Sequence, residues 1–218
     1  MKAGLALCFM IVPAIAIAQG KSPMDGARLL GELKQGGYIL YFRHTHTLPE
    51  HDHEAGQRRA GTHRVEDCAT QRNLSERGYR EARAQADWIT TLGIPMGEVL
   101  VSRYCRTRIH AAFFTARIAF NDAITPVRNA EKAAVLKRML NAPPSAGSNT
   151  FMFAHGGILW MATDYDSVES ETFIFKPGAG GSTLVATVKM HEWDLLAAGK
   201  PCCAPRDFWS GKGTPPVE

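Results

Sequence analysis

Short apolar runs alternate with amphipathic stretches along this chain, and the alternation predicts strands interleaved with helices. SPMDGARLLGELKQGG carries Leu29, Leu30 and Leu33 on one helical face, with Ser22 as N-cap, Pro23 at the first helical position and Gly36-Gly37 as the stop. YILYF, residues 38–42, reads as a buried strand. Residues 48–72 are polar and without period, which predicts a long loop. Ser75 then caps a helix running to about Leu92, with Ala82, Ala86 and Ile89 as its stripe and Gly93 and Pro95 at its end. EVLVS is a second strand, and YCRTRIHAAFFTARIAF a helix that turns Ile109, Ala112, Phe113 and Ala116 inward. ITPV, residues 124–127, reads as a third strand, and residues 129–140 as a helix carrying Leu136 and Leu140. TFMFA is a fourth strand, broken by His155-Gly156-Gly157 before a short helix, and ETFIF and STLVATV, joined by KPGAGG, form a hairpin or a pair of edge strands. The expected fold class is α/β, a three-layer α/β/α sandwich whose sheet is mostly parallel, with the hairpin at an edge.

Length and composition narrow the context. A chain of 218 residues is long enough for one domain with a continuous core. Residues 1–18 have the form of a signal peptide: Lys2, an apolar run interrupted by Pro13, and Ala16-Ile17-Ala18 as a small-x-small cleavage site. Residues 19–218 are then one domain with an irregular tail from His191, rich in Pro, Gly and Cys, and the expected location is secreted, in a bacterial periplasm. No other stretch is long and apolar enough to span a bilayer. The formal charge of +4 is mild and its Lys and Arg residues form no blocks, which argues against a nucleic-acid partner and leaves room for a local cationic pocket. Beyond the leader stand Cys68, Cys105, Cys202 and Cys203, with no C-x-x-C pair, so an oxidising compartment implies at least one disulfide. Cys68 to Cys105 would pin the long loop to the helix after the second strand; the adjacent Cys202 and Cys203 could pair with these two or with each other.

In open α/β sheets ligands bind beyond the carboxyl ends of the strands. Strand one ends in Arg43-His44, strand two in Ser102 with Arg106 one helical turn on, and strand four in His155-Gly156-Gly157. Two arginines, two histidines and a glycine-opened helix start make a cradle for a dianion, because guanidinium forks and helix-start N–H groups match phosphate oxygens. The bland alternatives are solvated arginines and hydrogen-bonded structural histidines.

The blocks FRHTHT, QRNLSERGYREA, VSRYCRTRIHAA and FMFAHGG resemble, in order and spacing, the signature of the histidine phosphatase superfamily in its small branch, with a phosphoglycerate-mutase-like fold. The likeness spans residues 36–188 and is nearest to secreted or periplasmic members. It implies that His44 is a nucleophile and that Arg43, Arg106 and His155 hold the transferring phosphoryl group. Thr47 matches a usual threonine, and Gly156 lies at the anion-facing helix start. It also implies a general acid just beyond the third strand, where Glu131 stands, with Asp67 on the long loop as rival. Thr45 replaces the usual glycine, His46 precedes Thr47, and His110 occupies a common threonine position. The implied activity is hydrolysis of small phosphomonoesters through a phosphohistidine, with no cofactor and no metal. The competing reading is a non-catalytic anion- or metal-binding protein on the same fold, drawing on His44, His46, His51, His53 and His63.

Overall fold

A computed structural model describes residues 25–48, 64–126 and 129–203. The expected leader lies outside them, as do Ser22, Pro23, Val127, residues 49–63 of the long loop and residues 204–218 of the tail. Among the described residues no helix is long and apolar enough to cross a membrane.

Helix α1 (Gly26–Gln35) starts later than expected: its cap is Asp25 and not Ser22, the Asp25 carboxylate accepting from the N–H groups of Ala27 and Arg28. Strand β1 (Ile39–Arg43) follows, then α2 (Glu76–Thr91), which Ser75 caps as the sequence predicts. Strand β2 (Met96–Val101), α3 (Cys105–Ala112), the two-residue β3 (Ala119–Phe120), α4 (Ala130–Met139) and β4 (Asn149–Ala154) come next. Helix α5 (Gly156–Thr163), the hairpin β5 (Thr172–Lys176) and β6 (Thr183–Val188), and α6 (Trp193–Ala197) complete the described fold.

The sheet order is β3-β2-β4-β1-β5-β6. β1, β2, β3 and β4 pair in parallel, whereas β5 runs antiparallel to β1, and β6 to β5. Every residue of β1 and β4 is buried, as expected for central strands covered on both faces. Alternation divides the core accordingly. Leu40 and Phe42 pack with Leu33 of α1, Ile89 of α2, Ala111 of α3 and Trp193 of α6, while Ile39 and Tyr41 pack with Leu136 of α4 and Ile158 and Leu159 of α5. The three-layer expectation holds.

Three further local expectations fail. The third strand is not residues 124–127: Ile124 is fully buried but sits in a 3-10 turn, Asp122–Ile124, started by Asn121, whose side chain accepts from the Ala123 N–H. Apolar burial was real there, but Pro126 has no N–H to give a ladder, and the strand forms earlier, at Ala119–Phe120. The helix after β2 is shorter and rotated. Its buried residues are Cys105, Arg106, Thr107, His110 and Ala111, not the stripe of Ile109, Ala112, Phe113 and Ala116. Polar residues occupy its inner face because that face lines a site, so hydrophobic periodicity points the wrong way. The tail, finally, is not irregular from His191: α6 buries Trp193 and Leu196 in the core.

Cys68 is bonded to Cys105, and Cys202 to Cys203. The first bridge staples the end of the long loop to the start of α3, and beside it the Cys105 N–H donates to Gln71 Oε1 at 2.9 Å. Closing a segment of 37 residues stabilises the fold by about 4 kcal/mol in the chain-entropy description. A Cys68→Ser/Cys105→Ser double variant is therefore expected to lose about 3 to 4 kcal/mol of unfolding free energy in urea. A loss below about 1 kcal/mol would mean that the loop is held by its hydrogen bonds instead.

Candidate active site

The carboxyl ends of β1, β2 and β4 are adjacent because these strands are sheet neighbours, and they bring Arg43, His44, Ser102 and His155 together. His44 is fully buried. Its Nδ1 lies 3.1 Å from the Thr45 carbonyl oxygen, which can only accept, so Nδ1 carries the proton and Nε2 presents a lone pair. Nε2 is buried and has no hydrogen-bond partner among the described residues. Burial first, then the charge of Arg106 and the proximity of His155 and Arg43, holds the imidazole's pKa well below its ordinary value of 6.5. A neutral ring with its Nε2 lone pair in a cationic surround is chemically able to act as a nucleophile toward an anion.

The surrounding groups are fixed by short-range contacts. The His155 ring stands edge-on to that of His44, centroids 5.4 Å apart, and its Nε2 meets Ser102 Oγ at 2.9 Å. Tyr41 OH donates to the His155 carbonyl at 2.7 Å and accepts its N–H at 3.2 Å, locking the β4-to-α5 corner. Arg43 donates through Nη1 to the Ser167 carbonyl at 2.5 Å. A Cβ on Gly156 would fall 2.7 Å from that Nη1 and 2.6 Å from Ser167 Oγ, so the glycine is needed for the guanidinium to lie against the helix start. The Arg106 guanidinium lies over the Tyr104 ring at 4.7 Å and donates to the Arg72 carbonyl at 3.4 Å.

Helix α2 abuts the loop after β1. A side chain at Gly78 would collide with the His46 carbonyl, and Thr45 Oγ1 donates to the Gly78 carbonyl at 2.9 Å. Thr45 thus anchors the loop to α2, while its carbonyl orients His44. His46 is turned to Ser75, Nδ1 to Oγ at 2.7 Å.

Several expected residues sit elsewhere. Thr47 stands three residues beyond His44, and both its N–H and its hydroxyl donate to Glu169, at 3.2 and 2.5 Å, instead of facing an incoming anion. Glu131 is exposed on the first turn of α4; its N–H donates to Asn129 Oδ1 at 2.8 Å, and its carboxylate makes no hydrogen bond or ion pair among the described residues. Asp67 is also exposed, its carboxylate accepting from the Ala69 N–H at the start of a 3-10 turn. No group of three or more His, Cys, Asp or Glu side chains among the described residues is placed to hold a metal ion; His51, His53 and His63 lie outside those residues.

No protein-family model and no curated protein matches the sequence. Among solved structures, the protein histidine phosphatase SixA complexed with tungstate is similar: 15% identical, aligned over 71% of this chain and 98% of its own, with a TM-score of 0.51. This is the histidine phosphatase fold. A phosphoserine phosphatase from Entamoeba histolytica in complex with phosphoserine aligns at 10% identity over 70% of this chain and 97% of its own, with a TM-score of 0.47. A mycobacterial glucosyl-3-phosphoglycerate phosphatase complexed with VO3 aligns at 12% over 68% and 97%, with a TM-score of 0.47.

On this histidine phosphatase fold, Arg72 and Glu169 are the site residues that sequence reading missed. Arg72 Nη2 lies 3.4 Å from Glu169 Oε1, and the same oxygen is 3.9 Å from His44 Nδ1. Arg72 stands inside the QRNLSERGYREA block, one signal that could have found it. Glu169 precedes β5, and only the antiparallel pairing of β5 on β1 carries it to the site. Ser170, beside it, has a left-handed backbone (φ 68°) clamped from three sides. Its N–H donates to the His44 carbonyl at 3.0 Å, its carbonyl accepts from Gln85 Nε2 at 2.8 Å, and its hydroxyl donates to Glu81.

His110 lies behind the site among Phe42, Phe114 and Phe153, with Nε2 at 2.7 Å from Gln85 Oε1. Burial lowers its pKa from 6.5 to about 3. A depressed histidine pKa means that the unfolded chain binds more protons below pH 6.5, so stability is retained above that pH and lost as pH falls toward 3. Between pH 6.5 and 4.5 His110 is expected to contribute a loss of about 2 to 3 kcal/mol in unfolding free energy. His110→Gln should flatten that slope in urea melts at several pH values; an unchanged slope would show that His110 is not buried neutral.

Proposed function

We propose that the protein is an exported histidine phosphatase that hydrolyses small phosphomonoesters through a phosphohistidine on His44. The observation that carries this reading is the buried Nε2 of a neutral His44, without a hydrogen-bond partner among the described residues, with Nδ1 tied to the Thr45 carbonyl, amid Arg43, Arg106 and His155. Export rests on the signal-like leader and is supported by the Cys68–Cys105 bridge, which suits an oxidising compartment. The tungstate held by SixA is a tetrahedral oxyanion, in keeping with a phosphoryl site on this fold.

In the proposed reaction the Nε2 lone pair forms a bond to phosphorus as the ester P–O bond breaks in line. The leaving oxygen takes a proton delivered from solvent and departs as the alcohol. Water then attacks phosphorus and gives a proton back to solvent, the N–P bond breaks, its electron pair returns to Nε2, and phosphate leaves. Arg43, Arg106 and His155 stabilise charge on the equatorial oxygens throughout. Nothing in these steps calls for a metal or cofactor.

Brief reaction with a phosphomonoester and an alkaline quench should trap phosphate on His44, and His44→Ala should reduce turnover to background while activity persists in excess chelator. No trapped phosphate together with chelator-sensitive turnover would overturn the covalent reading. Arg106→Ala should lower kcat/KM by roughly 30- to 1,000-fold, equivalent to about 2 to 4 kcal/mol of transition-state stabilisation. A loss under about threefold would remove Arg106 from the phosphoryl site.

A further inference from the structure

One carboxylate faces the imidazole from the side opposite its nucleophilic edge. Glu169 Oε1 is 3.9 Å from His44 Nδ1, and donors fix its position: Thr47 N–H to Oε2 at 3.2 Å, Thr47 O–H to Oε1 at 2.5 Å, and Arg72 Nη2 to Oε1 at 3.4 Å. The Glu169 side chain is 24% exposed, so most of it is withdrawn from water. The neighbouring Ser170 clamp holds the backbone that carries it: the Ser170 N–H reaches the His44 carbonyl, and Gln85 and Glu81 of α2 take its other polar groups.

We propose that Glu169 is a positioning residue that balances the charge appearing on His44 when Nε2 bonds to phosphorus. The inference rests on the phosphohistidine reading. When the Nε2 lone pair becomes the N–P bond and the ester oxygen leaves with its electron pair, the ring keeps its Nδ1 proton and becomes a cation. That cation forms where burial, Arg43 and Arg106 already disfavour positive charge. A carboxylate on the Nδ1 side is attractive only once the ring is charged, so its effect falls on the transition state and the phosphoenzyme more than on the resting state. Thr47, Arg72 and Ser170 keep the carboxylate there, which accounts for a threonine hydroxyl that faces Glu169 and not the anion.

A leaving-group series separates this role from its rivals. Glu169→Gln keeps the shape of the side chain and removes its charge. The expected result is a 10- to 100-fold lower rate of phosphoenzyme formation, of similar size for phenyl phosphate and for 2,4-dinitrophenyl phosphate, with KM and inorganic phosphate affinity within about twofold of wild type. A deficit seen with phenyl phosphate but absent with the dinitrophenyl ester would make Glu169 a general acid and overturn the proposal. A loss accompanied by weakened inorganic phosphate binding and a lower Tm would make it a structural tie, and would also overturn it. Thr47→Val, which retains the charge and removes one donor, should show a smaller deficit of the same leaving-group independence; no deficit in either variant would overturn the proposal. Wild-type protein quenched in parallel reads the underlying mechanism separately, since absence of trapped phosphate there would defeat the phosphohistidine reading itself.

Discussion

Positive charge is taken out of water around an imidazole that burial keeps neutral, and the arrangement of the site follows from that constraint. Arg43, Arg72 and Arg106 are all buried at the carboxyl edge of the sheet, where an uncompensated guanidinium would cost several kcal/mol. Each is answered locally: Arg43 by the Ser167 carbonyl, Arg106 by the Tyr104 ring and the Arg72 carbonyl, Arg72 by Glu169. Burial first, and then this concentration of charge, keeps His44 unprotonated, and the charge makes the pocket attractive to a dianion.

Most of the scaffold near the site serves to hold loops against strand ends. The Cys68–Cys105 bridge and the Gln71 contact fasten the end of the long loop to α3. Gly78 allows α2 to lie against the loop carrying His46, and Glu81 accepts from both the His46 N–H and the Ser170 hydroxyl. Ser170 sits in a left-handed conformation that costs a non-glycine residue on the order of 1 to 2 kcal/mol, which its three tethers offset. Two loops far apart in sequence are thereby locked to one helix, with His44 between them.

Behind this layer, His110 shows how a polar residue can be part of the core. Its aromatic surround and its bond to Gln85 make it a neutral link, and Gln85 passes the contact on to the Ser170 carbonyl. The chain from His110 through Gln85 to Ser170 connects the inner face of α3 with the loop that carries Glu169. Its members are buried, so removing one would leave the others with unmet hydrogen bonds.

Short-range patterns were enough to single out Arg43, His44, Arg106 and His155, which the fold brings together, because each lies within a few residues of an apolar strand whose carboxyl end is where α/β sheets bind ligands. The capping of α2 by Ser75, the stripe of Ala82, Ala86 and Ile89, and the edge hairpin were legible for the same reason: they depend on neighbours in sequence. Where buried positions are polar, as in α3, or where a buried apolar residue sits in a turn, as Ile124 does, periodicity misleads. Glu169 was invisible because its place depends on β5 pairing antiparallel to β1, a contact between segments more than 120 residues apart. Thr47 matched a sequence pattern, yet its role depends on that same distant carboxylate. The sequence by itself determined which side chains end the central strands, since strand and residue are covalently joined; tertiary structure decided which carboxylate meets them, since pairing of remote segments leaves no local signal.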